Sequence, residues 1–282
     1  MKKYIFIYLI LMAGIFSLEC QQKENSILDN YNLYKKSNKI IYLPKELREV
    51  SGLAFGGDDI LYMHNDEEGI VYKFDINKKK VVKKYELGEK HIKKDFEDIA
   101  AINDSIYLIS SHGILYKFSL EDGHKEIPFQ KIITGLDKKN NVEGLCYDPG
   151  TNSFLLACKG FPGKDYKGYR AVYELSLKND KLKPKPRFLI SLEQLKDEYG
   201  IKDFAPSGIV LHKESGHFFL ISAAPEVIIE LDAKGNLVNA KKFNDKIHKQ
   251  PEGITFLSDG SLVISDEGKD HKGKITIIKS NN

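Results

Sequence analysis

Apolar residues along this chain fall into short β-branched and aromatic runs separated by turn-forming clusters, and the runs return in a fixed order. One phrase occurs five times: EVSGLAF (49–55), DFEDIAA (95–101), NVEGLCY (141–147), APSGIVL (205–211) and QPEGITF (250–256). A turn signal follows each, such as GGDD (56–59) or DPGTN (148–152), then a second apolar run such as IYLISSH (106–112) or LVISDEG (262–268). A third run is the most regular: IVYKFD (70–75), ILYKFS (114–119), AVYELS (171–176), VIIELD (227–232) and ITIIKS (275–280). Runs of this kind, punctuated every 8–12 residues or so, predict strands of an all-β fold. The third residues of the phrase are Ser51, Glu97, Glu143, Ser207 and Glu252, spaced 46, 46, 64 and 45 apart. A period near 46 holding four strands selects a β-propeller.

The fourth strand sets the blade count. Units one to four end in further strand candidates, at 81–87, 125–133, 186–192 and 239–244, while unit five stops after its third. NKIIYLP (38–44), just before the first phrase, supplies the missing outer strand and removes two exposed sheet edges. The expected architecture is therefore a five-bladed propeller of four-stranded blades over 38–282, its last blade closed by an N-terminal strand. The longer third unit holds GFPGKDYKGY (160–169) and LEQLKDEYG (192–200), the latter with helical spacing and a glycine stop. Tyr72, Tyr116 and Tyr173 recur with the blades and read as packing between them.

Inner strands line a propeller's channel, and alternation puts phrase positions one and three on one side of the strand. Glu49, Asp95, Glu97, Glu143 and Glu252 are thus expected at one mouth. Asp266 is expected opposite Glu252, and Asp66 in the equivalent place of blade one. Carboxylates so crowded either take up protons at raised pKa or bind a cation. Calcium suits them, taking 6–8 oxygen ligands in flexible geometry. Zinc does not, because the histidines are scattered and no CxxC occurs. Glu97, Glu143 and Glu252 are the leading ligands and Glu49 and Asp266 the second choice, with Ser51 and Ser207 as hydroxyl or water-mediated contributors. A solvated channel that binds nothing lasting is the alternative. His112 and Lys159 fall near the same mouth, as charge partners or as bases. No GxSxG elbow, P-loop or DxDxDG loop is present.

Composition changes this picture little. The 282 residues are 41% hydrophobic and 29% charged, with 43 basic and 40 acidic side chains interspersed and a formal net charge of +3. No basic stripe with interleaved aromatics favours nucleic acid. The N-terminus says more. Lys2 and Lys3 precede an apolar stretch from Tyr4 to Leu18, too short to span a bilayer but suited to a signal peptide over 1–19. Cys20 then resembles the lipidated cysteine of a lipoprotein, although Glu19 stands where a small residue is usual. Uncleaved anchoring and plain secretion are the other readings. Residues 20–37 read as a lipidated, polar tether. The remaining cysteines, Cys146 and Cys158, are expected free and buried: the intervening turn puts Cys158 opposite Glu143 and Cys146 opposite Leu155.

The ordered series of five phrases resembles the SdiA-regulated (YjiK-like) family over about residues 38–280. The resemblance implies a bacterial envelope protein with a five-bladed propeller, a bound calcium ion and no settled biochemical activity. Two departures, Ala205 opening the fourth phrase and ISAAP (221–225) without a carboxylate, weaken any ligand contribution from blade four. Two functions follow. One is a monomeric, non-catalytic envelope module, tethered to a membrane at Cys20, whose channel mouth meets an unknown protein or small molecule. The other is a calcium-dependent hydrolase of lactonase, esterase or phytase-like type, in which the metal polarises a carbonyl or phosphoryl oxygen.

Overall fold

The computed structural model describes residues 25–35, 38–88, 92–120 and 127–281. Its strands, in chain order, build five antiparallel sheets. A closing strand, β1 (Lys39–Tyr42), comes first. Blade one is β2 (Val50–Phe55), β3 (Ile60–Asn65), β4 (Ile70–Asp75) and β5 (Lys80–Glu86). Blade two is β6 (Phe96–Ile102), β7 (Ser105–Ser110), β8 (Ile114–Ser119) and β9 (Gln130–Ile133). In blade three, β10 (Val142–Asp148), β11 (Ser153–Cys158) and β12 (Tyr169–Ser176) are followed by two short outer strands, β13 (Lys181–Leu182) and β14 (Phe188–Ser191). Both pair with β12. Blade four is β15 (Pro206–His212), β16 (His217–Ala223), β17 (Glu226–Leu231) and β18 (Leu237–Lys242). Blade five has β19 (Pro251–Phe256), β20 (Leu262–Asp266) and β21 (Lys274–Ile278), and β1 completes it by pairing antiparallel to β21. The five-bladed propeller, its closing strand included, is as the repeat predicts.

The enlarged third unit carries the expected helix, α1 (Leu192–Tyr199). Ser191 caps its start by accepting from the Gln194 N–H, and Gly200 ends it in the left-handed conformation at φ 65°. An L side chain there would be strained, so the glycine stop is conformational.

There is no single core. Five clusters of buried side chains each fill one seam between adjacent blades, from Ile109 against Leu145 and Leu156 in the seam of blades two and three to Val50 and Leu53 against Val263 and Ile275 where blade five meets blade one. Tyr72, Tyr116 and Tyr173 are buried in three of these seams. Cys146 and Cys158 are free and buried, as expected, and burial pushes both thiols up, that of Cys158 to about 12.

The tether assignment meets a different outcome over residues 25–35. Leu28, Tyr31 and Leu33 are buried in the seam of blades four and five, beside Phe219, Ile254 and Leu262. Glu230, fully buried on β17, holds the segment by accepting from the Ser26 hydroxyl (2.7 Å) and the Ile27 and Leu28 N–H groups (2.9 and 3.0 Å). The apolar residues of this stretch, Ile27, Leu28, Tyr31, Leu33 and Tyr34, form no recognisable period, which is why the sequence pattern does not reveal this strap. Cys20 and the signal peptide expected over 1–19 lie outside the described residues.

A chain beginning at residue 25 is expected to resist urea better than one beginning at residue 38 by several kcal/mol. Each large apolar side chain removed from the seam is worth about 1.5–3 kcal/mol of burial, and Glu230 loses three donors. Equal midpoints with equal slopes would show that the strap contributes nothing.

Candidate functional site

Every blade interrupts its inner hairpin at the same place. The partner of Val50 is Asn65 and that of Gly52 is His64, so Ser51 is passed over. The same skip occurs at Glu97, Glu143, Ser207 and Glu252. Phrase position three is thus a β-bulge five times over, and a bulge bends the strand and re-aims a side chain. Two pairings expected from unbroken ladders are corrected by it. Cys158 lies opposite Val142 rather than Glu143, and Asp266 opposite Pro251 rather than Glu252; Cys146 does face Leu155.

Position four explains the bulge. A Cβ on Gly52 would stand 2.9 Å from the Asp98 Cα of the next blade, and one on Gly208 would stand 2.8 Å from the Glu252 carbonyl oxygen. Inner strands therefore approach backbone to backbone. Blade two has Asp98 at this position. Its buried carboxyl accepts from the Leu145 N–H of blade three (2.7 Å) and from the Ile99 N–H (2.8 Å), and burial raises its pKa well above the ordinary value.

What position three does depends on side-chain length. Ser51 donates to the Glu97 carbonyl (3.2 Å) and Ser207 to the Pro251 carbonyl (2.8 Å), each tying its blade to the next. The hydroxyls expected to assist a ligand thus serve the seams. Glu97, Glu143 and Glu252, from three blades, instead form one electrostatic group. Glu97 is pushed up to about 9, by burial first and then by Glu143, Asp95 and Glu252. Glu252 is pushed up to about 8, by burial first, with Glu143 and Glu267 adding and the Gln250 amide and Lys159 opposing. Glu143 is raised by burial against the pull of Lys159 and Asn141. Lys159 Nζ lies 2.9 and 3.0 Å from the two Glu143 oxygens. Burial acts to lower its pKa, but Glu143, Glu252 and Glu97 together raise it.

Positions one and three do share a side. Asn141 donates to Glu143 (2.6 Å) and Gln250 to Glu252 (3.0 Å). Amides fall outside a carboxylate pattern, yet the i, i+2 spacing in NVE and QPE carries the signal. Gln250 also donates to Glu267. Glu49 is paired with Arg48 (2.7 Å). With Glu267 it presses on Asp66, which is pushed up to about 6 chiefly by its own burial. Glu49 and Asp66 thus form a neighbouring acidic group. Asp266, 1% exposed, is taken by His248 Nδ1 at 2.9 Å. His112 is exposed.

Among the described residues, no three His, Cys, Asp or Glu side chains stand in a metal-holding group. The chemistry of the three glutamates nevertheless fits a hard cation: their donors are all oxygen, and Glu143 is already drawn to an ammonium.

Residues 182–281 match the model of the SdiA-regulated family. The matched stretch takes in α1, blade four and β19–β21, with Ser207 and Glu252 but neither Glu97 nor Glu143. No curated protein matches the chain. Among solved structures, a luciferin-regenerating enzyme aligns at a TM-score of 0.52 and 12% identity, over 86% of this chain and 95% of that one. A streptogramin B lyase aligns at a TM-score of 0.49 and 10% identity, over 86% and 97%. At such identity the first likeness concerns the fold alone.

The raised carboxyls set a pH dependence. Above the ordinary value of 4.5, the folded protein keeps protons that the unfolded chain has released, up to about 9 at Glu97 and about 8 at Glu252. Stability from these groups is therefore full below that window and falls as pH rises through it. In chelator, urea unfolding is expected to show lower stability at the alkaline end, with Glu97→Gln flattening the slope. An unchanged slope in the variant would show that Glu97 titrates normally.

Proposed function

We propose that this protein is a non-catalytic binding module of the bacterial cell envelope, lipid-anchored at Cys20, whose acidic channel mouth takes up one calcium ion. The observation that carries the reading is the electrostatic coupling of Glu97, Glu143 and Glu252, each the bulged residue of a different blade. Glu97 and Glu252 hold protons in the metal-free protein, and a cation that displaced them would supply the counter-charge that Lys159 alone does not. Glu97, Glu143 and Glu252 would hold the ion, which supplies charge neutralisation and ties three blades together. Loops around that mouth would present the surface a partner meets. The hydrolase reading gains less support. Lys159, ion-paired with its pKa raised, is a poor base near neutrality.

Calcium at about 100 times its dissociation constant is expected to add about 2.7 kcal/mol to the stability of metal-free protein. Magnesium replaces it poorly because it demands a tighter octahedron. Glu97→Gln, Glu143→Gln or Glu252→Gln is expected to remove most of that response. A wild-type melting temperature indifferent to calcium and chelator, in protein confirmed metal-free, refutes the site.

Anchoring has its own test. In cells fed a fatty-acid probe, Cys20→Ala is expected to leave the protein unlabelled. Equal labelling of variant and wild type would refute the lipid.

A further inference from the structure

The far end of the inner strands has the opposite character. Glu252 and Phe256 lie on one strand, four residues apart or about 13 Å, and around Phe256 a cavity of about 400 Å³ opens. Every inner strand contributes to its wall, with small side chains such as Ala54, Ala100 and Cys146 leaving the space. A second cavity of about 390 Å³ adjoins it, since His212, Glu214 and Gly260 line both. Tyr31 of the strap and Asp259 line this second, polar one. Apolar space of this size meeting a few polar groups is the usual form of a small-molecule site.

His212 stands at the junction. It is 8% exposed, with its ring edge-on to Phe256 at 4.9 Å. Nδ1 accepts from the Ser215 hydroxyl (2.9 Å) and the Ser215 N–H (3.4 Å). That hydroxyl is free to donate because its oxygen accepts from the His217 N–H (3.1 Å). With Nδ1 an acceptor, the ring hydrogen sits on Nε2. No described protein group accepts from Nε2. Burial lowers the pKa of His212, which keeps the ring neutral at pH 7. The surroundings are acidic: the Tyr31 hydroxyl is pushed up to about 12 by burial first, then by Glu214, Asp259 and Glu230. Lys213 also lines the apolar cavity, at its exposed rim.

We propose that this end of the channel binds a small neutral molecule with an apolar body and one hydroxyl, an alcohol or a phenol. The body fills the apolar cavity, and the hydroxyl accepts from His212 Nε2–H and donates to Glu214. A carboxylate head would face Glu214 and Asp259, and an ammonium would meet a donor at His212.

Calorimetric titration of the full chain with p-cresol, toluene and 4-methylbenzoate tests this. Saturable one-to-one binding of p-cresol is expected, with toluene at least about tenfold weaker, the usual scale for a lost hydrogen bond, and 4-methylbenzoate without measurable binding. His212→Phe retains a ring against Phe256 and is expected to bring p-cresol down to the level of toluene. Glu214→Gln, at an exposed position, is expected to let 4-methylbenzoate bind measurably while leaving the fold intact, with melting temperature as the control. The proposal fails if p-cresol does not saturate within its solubility, if toluene binds as well, or if folded Glu214→Gln binds all three probes as wild type does.

Discussion

The structure depends on how closely five inner strands can approach one another around one axis. At phrase position four there is no room for an ordinary side chain: Gly52 abuts Asp98, Gly208 abuts the Glu252 carbonyl, and Gly253 abuts Leu53. Blade two solves the problem by another route, its Asp98 carboxyl capping the Leu145 N–H across the seam. Such contacts allow the seams outside them to close, and those seams hold the buried apolar surface that drives folding.

The same constraint groups the acidic side chains. A strand that must present its backbone at position four takes up an extra residue at position three. That residue leaves the ladder, and its side chain is aimed away from the hairpin. A serine there reaches only the neighbouring backbone and fastens the seam. A glutamate is too long for that role and projects its charge among the others. Blades one and four therefore contribute hydroxyl seams, and blades two, three and five contribute carboxyls. Charge on this scale is costly in a buried place, and the raised pKa values of Glu97, Glu143 and Glu252 express that cost.

The two ends of each inner strand thus differ by design of the ring. Near the bulges the strands converge and polar side chains crowd. Beyond them small residues and aromatic rims leave space, and the strap at 25–35 seals the seam of blades four and five beside it. Glu230 joins these features, since one buried carboxylate holds both the strap and His217, whose N–H orders Ser215 beneath His212.

The amino-acid sequence by itself determined the blade count, the closing strand, the helix stop at Gly200 and the gathering of Glu97, Glu143 and Glu252. Repetition and alternation are local properties, legible wherever short strands recur at one period. The tertiary structure alone decided the register past each bulge, which moved Asp266 out of line with Glu252 and into the hands of His248. It also decided the seam role of Ser51 and Ser207, the burial of Leu28, Tyr31 and Leu33, and the pairing of Lys159 with Glu143. Each of these depends on the distance between residues of different blades, and nothing in the order of residues along one strand encodes how closely the next blade will stand.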